Sequence, residues 1–192
     1  SILTAERLVL NCMQRMSGIA TLTRQYVDAI KGTKATVIDT RKTTPGIRLL
    51  EKYAVTVGGG ANHRMGLYDM IMIKDNHVDY SGGIPQAIER TKKYLSEKGL
   101  DLKIEVETRD IDEVKLVLAT GGIDRIMLDN YTPEDMKVAI QLIDGKYETE
   151  ASGGIKLETI RSYAETGVDF ISVGALTHSA TSLDLSLKAT FK

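Results

Sequence analysis

The sequence predicts a parallel α/β barrel. Short β-branched runs alternate with longer segments of helical period along most of the chain, and nearly every run ends on or beside a charged or small polar residue. Strict alternation with short connections implies parallel strands joined by right-handed crossovers, which build either a barrel or an open doubly wound sheet. In a barrel the C-terminal strand ends meet around one mouth, and the run-ends Asp39, Lys74, Glu107, Asp129, Ser152 and Gly174 fit that convergence. With six runs and a seventh candidate at 183–187, the expected barrel is TIM-like but incomplete or seven-stranded.

Residues 5–16 open the chain as an apolar helical run containing the single cysteine, Cys12. The first strand, 35–39, delivers Asp39-Thr40-Arg41-Lys42-Thr43-Thr44-Pro45-Gly46 into a turn. An Arg offers a planar fork for carboxylate or phosphate and a neighbouring Lys adds a point charge, so the pair suits a polyanion. Alone it would read as a solvated Pro-Gly loop. The run Gly58-Gly59-Gly60 followed by Ala61-Asn62-His63-Arg64 lets backbone N–H groups approach an anion, although such loops are most often simple turns. Strand 70–74 ends at Lys74, which leaves open a Schiff-base nucleophile, a structural ion pair or an anion clamp.

The helix 84–97 stops at Gly99, and strand 103–107 follows with Glu105 and Glu107 on one side, the lumen of a barrel. Helix 110–119 stops at Gly121, strand 125–129 ends in Asp129-Asn130, and helix 133–143 stops at Gly145. An acidic lumen beside a basic mouth is the arrangement that holds Mg²⁺ against phosphates; the alternative is pairing of each carboxylate with a lumenal Lys or Arg. Strand 147–151 leads into Ser152-Gly153-Gly154, and helix 157–165 stops at Gly167. Strand 169–173 runs into Gly174, with His178 beyond as a ligand contact or a helix cap. Gly-rich turns after the late strands, each opening a helix, form the usual phosphate site of such barrels.

Whole-chain quantities bound the answer. At 192 residues one well-buried domain over 1–192 is the default. The 25 basic and 26 acidic residues, net charge −1, predict neither a nucleic-acid binder nor a membrane-surface protein. A single cysteine excludes an internal disulfide framework and fits a reducing, cytoplasmic setting, and no run approaches the roughly 20 apolar residues of a membrane span.

Taken together, the motifs resemble the quinolinate phosphoribosyltransferase family along essentially the whole chain. The matching words are Glu6-Arg7 with Ser17-Gly18-Ile19-Ala20-Thr21, the stretch from Asp39 to Gly46, Lys52-Tyr53-Ala54-Val55, Asn62-His63-Arg64 and Met72 to His77. Glu105-Val106-Glu107, Leu128-Asp129-Asn130, Ser152-Gly153-Gly154 and Thr166-Gly167-Val168-Asp169 through His178 complete the set. The resemblance implies transfer of a phosphoribosyl group from phosphoribosyl diphosphate to quinolinate with decarboxylation, giving nicotinate mononucleotide, diphosphate and CO₂. It implies that Arg41, His63, Arg64 and Lys74 bind the two carboxylates, with Lys42 reaching the phosphoribosyl diphosphate. Glu107 and Asp129 would hold Mg²⁺ and the ribose hydroxyls, and Ser152, Gly153, Gly154 and Gly174 would cradle the 5′-phosphate. Arg7, placed just before the first helix, resembles an arginine inserted into a neighbouring subunit's pocket, so a homodimer or dimer-based oligomer is implied. Family members also carry a preceding domain of roughly a hundred residues, and the chain begins where that domain would end.

Three other readings compete. A nicotinate phosphoribosyltransferase would need fewer cations for its monoanion. A Lys74 aldolase would need an apolar pocket, whereas Lys74 is followed by Asp75-Asn76. A non-enzymatic phosphate-binding barrel would have no use for Glu107 and Asp129 together, since they repel the ligand unless a cation intervenes.

Overall fold

The structure is a computed structural model that describes residues 2–190. Six strands occupy the six expected places: β1 Thr36–Ile38, β2 Ile71–Ile73, β3 Ile104–Thr108, β4 Arg125–Asp129, β5 Glu148–Ser152 and β6 Phe170–Ser172. All pairings are parallel, in the order β1-β6-β5-β4-β3-β2. That order is the chain order closed on itself with one seam, between β1 and β2. A doubly wound sheet would reverse direction part-way, so this is the order a barrel produces. The seam is spanned by the segment after Gly60, where Ala61 makes a single parallel bridge to Ile38.

The helices are α1 Ile2–Ala29, α2 Arg48–Val57, α3 Asp75–Ser81, α4 Ile84–Lys98, α5 Ile111–Thr120, α6 Pro133–Ile143, α7 Ile160–Ala164 and α8 Ala175–His178. The start signals work as expected where a short polar residue precedes the helix. Asp110 accepts from the Glu113 N–H at 2.9 Å, and Thr132 from the Asp135 N–H at 3.1 Å. Helix α4 packs on α5, α5 on α6, α6 on α7, α7 on α1 and α1 on α2, a ring of neighbours around the sheet.

Strand parity divides the interior into two zones. Val37, Ile73, Val106, Ile126, Leu128, Ala151 and Ile171 face the helices and form the apolar core. The alternate positions carry Glu105, Glu107, Arg125, Met127, Asp129, Glu148, Glu150, Phe170 and Ser172, which face inward. The sheet curls enough for His63, at the seam, to reach both Glu105 on β3 and Glu150 on β5.

Two expectations are corrected. The opening helix is not confined to 5–16 but runs from Ile2 to Ala29, straight through Gly18. Gly18 is buried because the C-terminal segment crosses there, and a Cβ on it would overlap the Thr181 carbonyl. Close backbone packing outweighs the roughly 1 kcal/mol a helical glycine costs. The candidate seventh strand at 183–187 is irregular, pinned to α1 by Leu183 N–H donating to Gln14 O at 3.1 Å. It finds no free edge beside β6, which already lies between β1 and β5.

Candidate active site

The C-terminal strand ends converge as the barrel reading requires, and they sort by charge around the mouth. The cations flank the seam. Arg41 follows β1, Arg64 lies in the seam segment and Lys74 follows β2. Arg64 is half-buried; its Nη1 donates to Met70 O at 3.2 Å, and its Nη2 lies 3.6 Å from Met72 Sδ. Burial, and then the neighbouring Arg41 charge, push its pKa below the ordinary arginine value. Arg41 has its Nε buried without a hydrogen-bond partner. Two neighbouring guanidiniums, one with an unsatisfied buried donor, have the chemistry that suits an anion. Lys74 is half-exposed and its Nζ lies 2.5 Å from Glu107 Oε2. This ion-paired, solvent-accessible ammonium lacks the dry apolar pocket of a Schiff-base lysine.

The acids occupy the next two strands. Glu107 and Asp129 project from the mouth-side ends of β3 and β4 with the same parity. One oxygen of each is engaged, Glu107 Oε2 by Lys74 and Asp129 Oδ2 by Asn130 Nδ2 at 2.7 Å. No described hydrogen bond reaches the other oxygen of either group. Hard oxygen donors with spare valence on adjacent strands fit Mg²⁺, which is commonly held by one or two carboxylates together with substrate phosphates.

The glycines close the far side. Asn130, in the left-handed region at φ 58°, donates its N–H to Ser152 O at 2.9 Å. Gly153, at φ 96°, lies so close that a Cβ would overlap the Asn130 side-chain oxygen. Gly154 follows with open space around it. At Gly174 a Cβ would stand 3.1 Å from His178 Nε2 and 3.2 Å from Lys42 Cδ. Lys42 is held there by Thr177 Oγ1 donating to its carbonyl at 2.7 Å. His178 is exposed beside this cradle and contacts Ser179 through Nδ1.

His63 does not stand free among the cations. It is buried, with Nε2 2.9 Å from Glu105 and 3.2 Å from Glu150, as ionic contacts rather than aligned hydrogen bonds. Burial alone would lower its pKa, but the two carboxylates overcome that and raise it to about 9. Burial and the Glu150 charge raise Glu105 to about 7. One potential ligand atom from each of these three side chains lies within 4.8 Å of the other two, a spacing that could hold a metal ion. His63 meets both acids through Nε2 and the Arg125 guanidinium lies 3.1 Å from Glu150, so each of the two carboxylates has a partner within the protein.

Sequence reasoning gave Arg125, Glu150 and Lys52 no part in the site. Lys52, on α2, and Asp39 are fully buried and ion-paired. Asp39 also accepts from the His63 N–H at 2.9 Å, while Lys52 donates to His63 O at 3.0 Å. Asn62, its amide nitrogen turned inward, donates to Asp39 at 2.6 Å. The signal was available in the period of two. Charged residues at alternate positions of Arg125–Asp129 and Glu148–Ser152 must face a lumen if the other face is covered by helices. Arg7 lies within α1 rather than before it, exposed, with no described contact to this chain's own mouth.

A family model described as the quinolinate phosphoribosyl transferase C-terminal domain matches residues 19–188. The chain belongs to the quinolinate phosphoribosyl transferase family. It is 52% identical over 97% of its length to a chloroplastic nicotinate-nucleotide pyrophosphorylase [carboxylating] of Arabidopsis thaliana, and spans 57% of that relative. It is 48% identical to the probable nicotinate-nucleotide pyrophosphorylase of Bacillus subtilis, covering 99% of this chain and 64% of that one. The crystal structure of NadC from Streptococcus pyogenes superposes with a TM-score of 0.91 at 45% identity, covering 98% of this chain and 65% of that one. A pyrophosphorylase from Pyrococcus furiosus, 17% identical with a TM-score of 0.70, shares the fold. Among the described residues of this family member no helix is long and apolar enough to cross a membrane.

Proposed function

We propose that the intact protein transfers a phosphoribosyl group from phosphoribosyl diphosphate to quinolinate and decarboxylates the product to nicotinate mononucleotide. The observation that carries this is the ordered mouth: the Arg41–Arg64–Lys74 cations, then Glu107 and Asp129, then the Ser152–Gly154 and Gly174 cradle with Lys42. A dicarboxylate, a ribose with its diphosphate, and a 5′-phosphate match those three zones in turn. The names of the relatives support the same reaction.

In that reaction the pyridine nitrogen forms a bond to the sugar C1′ as the C1′–oxygen bond to diphosphate breaks. Positive charge grows on the ribose, and the Glu107 and Asp129 carboxylates stabilise it. Glu107 and Asp129 would hold Mg²⁺, which when bound would neutralise charge on the diphosphate. Arg41, Arg64 and Lys74, with His63 behind them, fix the dicarboxylate ring in line with C1′. The C2–carboxylate bond then breaks, its electron pair is stabilised on C2 by the cationic ring nitrogen, and a proton replaces CO₂.

Exposed Arg7 stands on a helix that also exposes Leu3, Leu8, Val9 and Met13, which supports a dimer that donates Arg7 to a neighbouring pocket. The single Cys12 supports a reducing, cytoplasmic setting. The test is diphosphate and CO₂ release from quinolinate, phosphoribosyl diphosphate and Mg²⁺, beside Arg41→Ala. Release of both products, lost in the variant and not sustained by nicotinate, is expected. Quinolinate binding without turnover would leave an anion-binding barrel.

A further inference from the structure

The seam between β1 and β2 has no strand pairing: among the described residues, the segment after Gly60 bridges only to Ile38 of β1, at Ala61. Arg64 leaves this segment three residues later. Its position therefore depends on side-chain anchors, and the largest is His63, whose ring crosses the lumen to β3 and β5. Glu150 is itself braced. Arg125 Nη1 reaches it at 3.1 Å, Arg125 Nη2 reaches Glu148 at 3.0 Å, and the guanidinium stacks 3.9 Å over the Phe170 ring. Glu105, Glu150 and the His63 side chain are at most 4% exposed.

We propose that Glu105 and Glu150, braced by Arg125, are positioning residues that hold the His63 ring across the lumen and so set the adjoining Arg64 guanidinium in the dicarboxylate pocket. A buried ionic network is a poor stabiliser compared with apolar side chains of the same volume, because each ion must be desolvated. Filling a lumen needs only the latter. Here the charged residues instead form one chain from Glu148 through Arg125 and Glu150 to His63, and it ends one peptide bond from a cation of the mouth. The Asp39–Lys52 pair grips the His63 backbone from the helix side, so the residue is fixed from both faces of the sheet.

The inference rests on the proposed reaction for the identity of the dicarboxylate, and the test separates the two. Wild type, Glu150→Gln and Glu105→Gln of the intact protein are compared in the KM for quinolinate and for phosphoribosyl diphosphate. Binding of phthalate, a vicinal dicarboxylate that cannot react, is measured by calorimetry without the second substrate. Each variant replaces one carboxyl group of the His63 contacts by a neutral amide, and about a tenfold rise in quinolinate KM and phthalate Kd is expected, with the other KM within about twofold. If Glu150→Gln does not fold, Glu105→Gln decides. Unchanged quinolinate KM and phthalate Kd in a folded variant, or equal loss for both substrates, overturns the positioning role. Wild type that binds phthalate but does not consume quinolinate overturns the proposed reaction, and the phthalate comparison still decides the positioning role. Wild type that neither binds nor reacts removes both.

Discussion

Replacing Lys52 by Met isolates the buried pair on which the mouth is built. Met matches the length of the lysine stem, so the perturbation is the loss of one ammonium from a place that water does not reach. Asp39 would keep two neutral donors, the His63 N–H and the Asn62 amide. Removing one partner of a buried ion pair costs about 3–5 kcal/mol because it strands the other charge. The two surviving donors place the expected loss at the lower end, about 3 kcal/mol, a large share of the roughly 5–15 kcal/mol of a typical domain. Burial already pushes the Asp39 carboxyl up and the Lys52 ammonium down, each opposed by the partner's charge. Without Lys52 the carboxyl rises further, so the deficit shrinks as pH falls and Asp39 takes up a proton. The assay is equilibrium urea unfolding of wild type, Lys52→Met, Asp39→Asn and the double variant. A double-variant loss well below the sum of the single losses is expected. Additive single losses, or a Lys52→Met cost under about 1 kcal/mol, would refute the reasoning.

The lumen network predicts a pH slope. Glu105, raised to about 7, and His63, raised to about 9, both bind protons in the folded chain that the unfolded chain has released. Their contributions therefore decline as pH rises, Glu105 between its ordinary 4.5 and about 7, and His63 between 6.5 and about 9. The His63 part amounts to about 3 kcal/mol at about 1.4 kcal/mol per pKa unit, and urea midpoints of wild type against His63→Gln from pH 6 to 9 read it. Gly174→Ala adds a methyl at a backbone angle any residue adopts, so its effect is steric displacement of Lys42 and His178. A several-fold rise in the KM for phosphoribosyl diphosphate is expected, with stability changed by less than about 1.5 kcal/mol. Gly153→Ala meets both a left-handed backbone and Asn130, so about 2–3 kcal/mol of lost stability should accompany weaker phosphate-end binding. Thermal unfolding beside steady-state kinetics distinguishes the two alanine variants.

The sheet was legible because its strands are short β-branched runs bounded by turn residues, and the polar run-ends located the mouth before any contact was known. The helical ring was less so. Helix α1 hides behind Ser17-Gly18, whose glycine serves a crossing chain segment far away in sequence. Helices α2 and α3 hide because their neighbouring cations and glycines read as loop chemistry. At the site the residue types were readable and the partnerships were not. His63 reads as one more pocket cation until the lumen shows two carboxylates around it. Lys74 leaves three roles open until its contact with Glu107 appears. Lys52 is buried by packing across the helix layer, which local sequence does not encode.

The cyclic strand order has a consequence for how the chain folds. Pairings from β2 to β6 join neighbours in sequence, but β1 must find β6, and Thr177 reaches Lys42 across 135 residues. Loop entropy is paid in full before that contact rewards it. A chain that has formed only β2 to β5 carries the acids and Lys74, yet lacks the cradle that joins Lys42 to Gly174. In the proposed reaction a substrate bridging the cations and the phosphate cradle would recognise only the closed ring, and so would act as a clasp on the last step of folding.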